Sequence, residues 1–169
     1  MDGDRHQVYL GLGSNLGNRE ETILAAYKEI ERLIGVIVRQ SAFFYSEPWG
    51  FQSEHPFANS VILVETTLSP HEVLHHTQHI ERLLGKRRRH ATKRDATPTK
   101  ASPRGGLEGA SLTSHPSPLT SQTYHDRPID IDILLYDDVT IDEPDLKIPH
   151  PLMQERDFVM IPLREIREQ

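Results

Sequence analysis

Residues 127–138 read RPIDIDILLYDD. The β-branched and aliphatic run reads as a strand, and Asp is a poor strand residue, so the acids inside it call for a reason. At a period of two, Ile129, Ile131, Ile133 and Leu135 fall on one face, and Asp130, Asp132, Leu134 and Tyr136 on the other. Two carboxylates roughly 6.5–7 Å apart along one face repel each other unless something positive lies between them. Carboxylate oxygens are the ligands Mg²⁺ prefers, and such a pair could clamp two ions about 3.5–4 Å apart. A solvated outer face of an edge strand, with acids that discourage edge pairing, fits the strand equally well.

Upstream, VYLGLGSN (8–15) reads as a first strand entering a turn. Asn18 and Glu21 have capping-box spacing, and Ile23, Tyr27, Ile30 and Ile34 mark a helical stripe that Gly35 ends. A second strand is expected over 36–45 and a third over 59–68. Ser69, Pro70 and Glu72 then start a second helix, with Val73, Thr77, Ile80 and Leu84 as its buried face and Gly85 as its close. After the acidic strand, VTIDEPDLKIP is extended and PLMQERDFVMIPLREI forms one or two short helices. The order β-α-β-β-α-β predicts an α+β fold, a ferredoxin-like antiparallel sheet with both helices on one face and a C-terminal helical appendix. A doubly wound parallel sheet fits less well, because strands two and three follow each other without a helix.

One segment falls outside this scheme. Residues 95–123 hold no aromatic, Val or Ile and are mostly Pro, Gly, Ser and Thr. Such a composition cannot bury enough apolar area to offset its ordering entropy. The reading is a single domain over 1–169 with a flexible insertion at 95–123.

The chain of 169 residues is 36% hydrophobic, enough for one core, and has no Cys, which excludes disulfides and Cys-based zinc sites. No apolar run reaches the length of a membrane span, and the start MDGDRHQVYL is unlike a leader. A soluble, cytoplasmic protein without membrane or nucleic-acid partners is expected, as a monomer, with a homodimer as the alternative. The net charge is −6, yet residues 82–104 gather Arg82, Lys86, Arg87, Arg88, Arg89, Lys93, Arg94, Lys100 and Arg104 against the single acid Asp95. That cluster suits an anionic ligand or a solvated basic loop.

GLGSNLG (11–17) lacks the spacing of a dinucleotide fingerprint, since its third glycine comes one place late. A tight strand-to-helix turn accounts for it. His71, His75 and His79 line one helical stripe, where i, i+4 histidines can bind zinc; without a third-ligand motif, a solvated stripe is expected. SEPWGFQSEHPF (46–57) puts aromatics in a Gly/Pro loop, suited to local packing or to a lid over a flat ligand. His150 and Arg156, in IPHP and MQERDF, suit phosphate oxygens beside an acidic pair.

The sequence resembles the 6-hydroxymethyl-7,8-dihydropterin pyrophosphokinase family of folate biosynthesis. The resemblance rests on GLGSNLGN (11–18), FANSV (57–61), HTQHIERLLGK (76–86), DRPIDIDILLY (126–136) and IPHPLMQERDFVMIPLREI (148–166), in the family's order and over essentially the whole chain outside the insertion. It implies that the pterin's hydroxymethyl oxygen attacks the β-phosphorus of ATP and AMP leaves. Asp130 and Asp132 would hold two Mg²⁺ ions, with Arg127, His150 and Arg156 as phosphate ligands and Lys86 and Arg88 as basic loop residues approaching the phosphates. Leu74, Gln78, Glu81, Ile133 and Leu146 match the nucleotide side, together with Tyr124. Asn59 matches the amide that reads the pterin edge, Phe57 and Phe158 its aromatic sandwich, and Glu47, Pro48 and Trp49 the loop that contacts the pterin through its backbone.

The chain also departs from the family pattern. Lys86 stands where many members have Arg, Tyr124 where some have Trp, and Pro151 where some have Tyr. The insertion lies in the loop carrying Lys86 and Arg88. Two readings from other classes compete: a nucleic-acid-binding ferredoxin-like module, whose sheet face the two acids would make repulsive to a backbone, and a metal-dependent nuclease or glycosyl transferase using the same Asp-x-Asp.

Overall fold

The computed structural model describes residues 3–15, 17–46, 56–94 and 129–168, the stretch 86–94 by its backbone alone. The elements run β1 (His6–Ser14), α1 (Arg19–Leu33), β2 (Gly35–Gln40), β3 (Phe44–Ser46), β4 (Phe57–Thr66), α2 (Pro70–Arg94), β5 (Asp130–Tyr136), β6 (Ile141–Asp142), β7 (Lys147–Ile148), a 3₁₀ turn at Met153–Glu155 and α3 (Asp157–Arg167). The main sheet has the order β2-β4-β1-β5, with β3 also on β4, and every pairing is antiparallel. Among the described residues no helix is long and apolar enough to cross a membrane.

The two expected helical stripes cover one face of the sheet. Ile23, Tyr27 and Ile30 of α1, with Ile34 just beyond it, and Val73, Thr77, Ile80 and Leu84 of α2 are buried. The apolar ones pack with Val8, Leu10, Ile62, Val64, Ile131 and Ile133 in one cluster. Asn18 caps α1, its side chain accepting from the Glu21 N–H at 3.1 Å. Ser69 and Glu72 form a reciprocal capping box on α2, the Ser69 N–H donating to Glu72 Oε2 at 2.7 Å and the Glu72 N–H to Ser69 Oγ at 3.3 Å. Those bonds hold the Glu72 carboxyl below its usual range.

The opposite face is covered over part of its area by α3. Val159, Leu163 and Ile166, at helical spacing, pack on Val61 and Leu63 of β4 and on Leu134 of β5. Arg39 Nη1 donates to the Ile166 carbonyl at 2.9 Å, and the Ala42 N–H to Glu165 Oε1 at 3.1 Å, fixing the helix to the edge of the sheet.

Four sequence expectations are corrected. The strand expected over 36–45 is two strands, because the Ser41 hydroxyl enters the ladder, accepting from the Val61 N–H at 3.0 Å and donating to the Ala42 carbonyl at 2.8 Å. Gly85 does not close α2, which continues to Arg94; a Cβ at Gly85 would meet nothing within 4 Å. Gly35 opens β2 rather than capping α1, and its missing side chain is needed because a Cβ would lie 2.0 Å from the Glu65 carbonyl oxygen. Finally, β5 does not alternate strictly. Its register against β1 shifts between Tyr9 and Leu10, so Leu135 faces Tyr9 while Ile133 faces Leu10. This bulge turns Tyr136 to the helix-covered face, where its hydroxyl donates to the Leu68 carbonyl at 2.7 Å, and puts Leu135 against the α3 cluster.

Candidate active site

Where α3 stops covering the sheet, an open cleft remains. Its floor follows from strand register. One row crosses four strands as Phe44, Asn59, Gly13 and Asp130; the next row is Val61, Gly11 and Asp132. Each aspartate therefore sits opposite a glycine of β1, and both carboxylates are half-buried on the cleft face. Phe57 lines the cleft from β4, and Arg156 and Phe158 line it from the start of α3. The Arg156 guanidinium carbon stands 5.6 Å from the centre of the Phe158 ring.

Asn59 is nearly fully buried, and its side-chain amide nitrogen donates to the Phe44 carbonyl at 3.0 Å and to Ser46 Oγ at 2.7 Å. Pro56 and Tyr45 are both tied to the first turn of α1. Arg19 Nη1 donates to the Pro56 carbonyl at 2.7 Å and lies 5.3 Å over the Tyr45 ring. The Tyr45 hydroxyl donates to Glu20 at 2.7 Å, which raises the Tyr45 pKa and lowers that of Glu20.

His150 follows the cis Ile148–Pro149 peptide, and its N–H donates to the Leu134 carbonyl at 3.0 Å, along the outer edge of β5. Burial and then the Arg156 charge push its imidazole below the ordinary range, while Asp130 pulls it upward. The Leu152 N–H donates to His150 Nδ1 at 3.3 Å. That bond assigns the neutral ring its proton on Nε2, leaving Nε2–H as a donor.

The residues expected on the nucleotide side are not in the cleft. Ile133 and Leu146 are buried in the helix-side core, Leu74 is half-buried against the same core, and Gln78 is exposed on α2. Glu81 Oε1 accepts from the Ile131 N–H at 3.2 Å. The acceptor meets a backbone donor on the side of β5 away from β1. Glu47, Pro48, Trp49, Tyr124, Arg127, the side chains of Lys86 and Arg88, and the 95–123 insertion lie outside the described residues.

The histidine stripe of α2 is exposed at His71, His75 and His79 and is not gathered into one ligand set among the described residues. His71 instead bonds Glu143 at 2.6 Å, with Asp145 beside them.

Sequence reasoning missed Gly11, Gly13 and Ser46. Gly11 and Gly13 lie inside β1, as the strand reading of 8–15 expected, and of the three glycines in 11–17 Gly17 alone adopts a left-handed conformation, with φ 61°. Two glycines at a spacing of two in a strand leave one face without side chains, and that was the available signal.

Sheet and helices together define a mixed helix and antiparallel-sheet protein with known counterparts. The chain superposes on a crystal structure described as HPPK-DHPS in complex with substrates, with TM-score 0.62 at 14% identity over 96% of this chain and 40% of that one. A Plasmodium falciparum HPPK-DHPS variant gives TM-score 0.63 at 14% identity, over 98% of this chain and 42% of that one. The likeness is one of fold, and the chain spans about two fifths of those longer chains.

Sequence comparison identifies the particular family. The family model described as 7,8-dihydro-6-hydroxymethylpterin-pyrophosphokinase matches residues 9–97 and 114–168. A Porphyromonas gingivalis 2-amino-4-hydroxy-6-hydroxymethyldihydropteridine pyrophosphokinase is 41% identical over 160 residues, covering 94% of this chain and 89% of the relative. The protein of that name from Aquifex aeolicus is 35% identical over 159 residues, covering 94% and 79%. The chain belongs to the 7,8-dihydro-6-hydroxymethylpterin-pyrophosphokinase family, and with it to the pyrophosphokinase class of transferases.

Proposed function

We propose that the protein transfers pyrophosphate from ATP to 6-hydroxymethyl-7,8-dihydropterin in folate biosynthesis. The hydroxymethyl oxygen bonds to the β-phosphorus, the bond from that phosphorus to the α-phosphate oxygen breaks, and AMP leaves. The observation that carries this reading is the cleft itself. An acidic pair, an arginine, a buried amide and two phenylalanines, drawn from distant parts of the chain, line one space.

Asp130 and Asp132 fit Mg²⁺ by donor chemistry. They offer hard carboxylate oxygens on one open face, and an Mg²⁺ site needs only one or two carboxylates when triphosphate and water complete the shell. We read two ions there; bound, they would neutralise phosphate charge during displacement. Arg156 contributes fixed positive charge, and His150 contributes a neutral Nε2–H donor for a phosphate oxygen. Arg127, Lys86 and Arg88 are assigned to the phosphates, and Glu47, Pro48 and Trp49 to the pterin. Phe57 and Phe158 stack on the heterocycle, and Asn59 reads its edge. Leu74, Gln78, Glu81, Ile133 and Leu146, with Tyr124, flank the nucleotide beyond the outer edge of β5.

The strand order supports a ferredoxin-like arrangement of a single domain. Residues 98–113, which the family match omits, support an insertion within 95–123.

The test is to mix protein, Mg²⁺, ATP and the hydroxymethyl dihydropterin. AMP and the pterin pyrophosphate should form in equal amounts. ADP as the product, or turnover indifferent to the pterin, overturns the proposal.

A further inference from the structure

The amide of Asn59 has a direction, and the neighbours that set it have no part in the reaction proposed above. The Phe44 carbonyl can only accept, so the amide group facing it must be the NH₂. The Ser46 hydroxyl takes the other amide hydrogen at 2.7 Å. Both donors are thus engaged by β3. The carbonyl oxygen turns the other way along the row, over Gly13, where an added Cβ would lie 3.1 Å from Asn59 Oδ1 and 3.6 Å from Phe57 Cδ1. Gly13 has Asp130 as its partner on the far side. From β4 to β5, this row of the floor presents a carbonyl oxygen, a bare backbone and a carboxylate.

We infer that Ser46 and Gly13 are positioning residues that lock Asn59 as a hydrogen-bond acceptor, so that the cleft selects a flat heterocycle with N–H donors on its edge. Ser46 holds the amide from one side, and Gly13 leaves room for its oxygen on the other. The inference rests on the pterin reading of the cleft and deepens it. An aminopyrimidinone edge carries adjacent ring N–H and amino donors. Its 2-oxo analogue replaces the amino donor with an acceptor that would face the acceptor of Asn59. Sites built around a hydrogen bond reject a ligand that leaves it unmade far more strongly than apolar pockets reject a change of size.

The test uses the full chain with Mg²⁺ and a non-hydrolysable ATP analogue. Calorimetry measures 6-hydroxymethylpterin and its 2-oxo counterpart against wild type, Ser46→Ala, Ser46→Thr and Gly13→Ala, with the nucleotide analogue alone as a second ligand. Wild type should prefer the pterin by at least about tenfold. Ser46→Ala should cut that preference several-fold, because the amide, left with the Phe44 carbonyl alone, is held less firmly, while nucleotide affinity stays within about twofold. Ser46→Thr, which keeps the hydroxyl, should retain the preference. Gly13→Ala should weaken pterin binding about tenfold with the nucleotide unaffected. A Ser46→Ala protein that keeps full discrimination, or loses both heterocycles and the nucleotide alike, overturns the inference. Equal wild-type binding of the two heterocycles overturns it as well, whether or not any variant folds. A wild type that neither binds nor turns over the pterin sinks the proposed activity; one that does both, with selectivity indifferent to Ser46, sinks only the inference.

Discussion

The two faces of the sheet are built on opposite rules. On the helix-covered face every position is filled: Ile23, Ile30, Val73 and Ile80 meet Val8, Leu10, Ile62 and Val64, all at 0% exposure. The polar groups admitted there find partners within the protein. The Tyr27 hydroxyl bonds Ser60 Oγ, and Thr66 Oγ1 donates to the Ile34 carbonyl at 2.6 Å. On the other face α3 fills only part of the surface, and beyond it glycines take the place of side chains while carboxylates take the place of methyl groups. The first face is explained by the protein's own packing. The second leaves an open cleft, the space in which the proposed substrates would lie.

The largest effect should come from breaking the open face at the acidic pair assigned to the metal and phosphates. Asp130→Asn or Asp132→Asn is expected to lower kcat by about 10²–10³-fold or more, the scale seen when one electrostatic group at a reacting centre is removed. Thermal stability should hold or rise, because the change relieves repulsion between neighbouring carboxylates. Steady-state assays beside melting curves check both halves. Turnover near the wild-type level would remove these acids from the chemistry.

The converse substitution belongs to the closed face. Ile30→Ala removes a fully buried side chain from the helix-side core, and should cost about 2–5 kcal/mol in denaturant unfolding. Turnover per folded molecule should stay near wild type. If Ile30→Ala changed kcat at full folding, the two faces would be coupled rather than separate.

The same contrast decides what was legible in the sequence. The closed face was read almost residue by residue, since Ile23, Tyr27, Ile30 and Ile34, and Val73, Thr77, Ile80 and Leu84, carry the helical period that burial imposes. The order of elements followed from the same signal. What failed was backbone detail. The Ser41 break, the β5 bulge and the close approach at Gly35 depend on how strands meet, and that information is non-local. On the open face, Asp130, Asp132 and Arg156 were candidates from the residues themselves, Asn59, Phe57 and Phe158 took their roles from the family resemblance, and the cleft gathers them. Composition and period alone left the acids ambiguous. Gly11 and Gly13 were placed in the first strand, but their part in baring the cleft floor was missed, because a glycine that makes room for something else looks, in one dimension, like a glycine that leads into a turn.

A smaller effect separates the two ligands within the open face. Phe158→Ala should weaken pterin binding by about 0.5–1.5 kcal/mol beyond the lost contact area, the value of one aromatic stacking face. Nucleotide affinity should change much less. Calorimetry showing equal losses for both ligands would end the assignment of Phe158 to the heterocycle.

At the border between the faces, His150 should make stability depend on pH in the metal-free protein. Its folded-state pKa is lowered from 6.5, chiefly by burial and then by the Arg156 charge. Between the folded value and the unfolded one, the unfolded chain binds more protons, so stability rises with pH. The neutral ring's contribution is fully present above about 6.5 and is lost as pH falls through the folded midpoint. Between about pH 7.5 and 5, the melting temperature of wild type should therefore fall more than that of His150→Gln. An imidazole NMR midpoint at or above the unfolded value would contradict this.

The smallest effect is expected from residues assigned to neither face. Residues 98–113, PTKASPRGGLEGASLT, are skipped by the family match, and their composition offers little that could pack. Joining Thr97 to Ser114 would shorten the connection between α2 and β5 by roughly half. For a flexible loop, each halving returns only about 0.6 kcal/mol of closure entropy, so the melting temperature should rise by about 1–3 °C at this chain length. Pyrophosphate transfer should persist within several-fold, since the basic run before the deletion and Arg127 after it are both kept. A fall of many degrees would mean that the segment packs on one of the two faces and that its composition misled. A folded variant that binds ATP and pterin yet transfers nothing would mean that the segment supplies a group to the open face. Lys100 and Arg104, the cations it contains, would then be the side chains to restore one at a time.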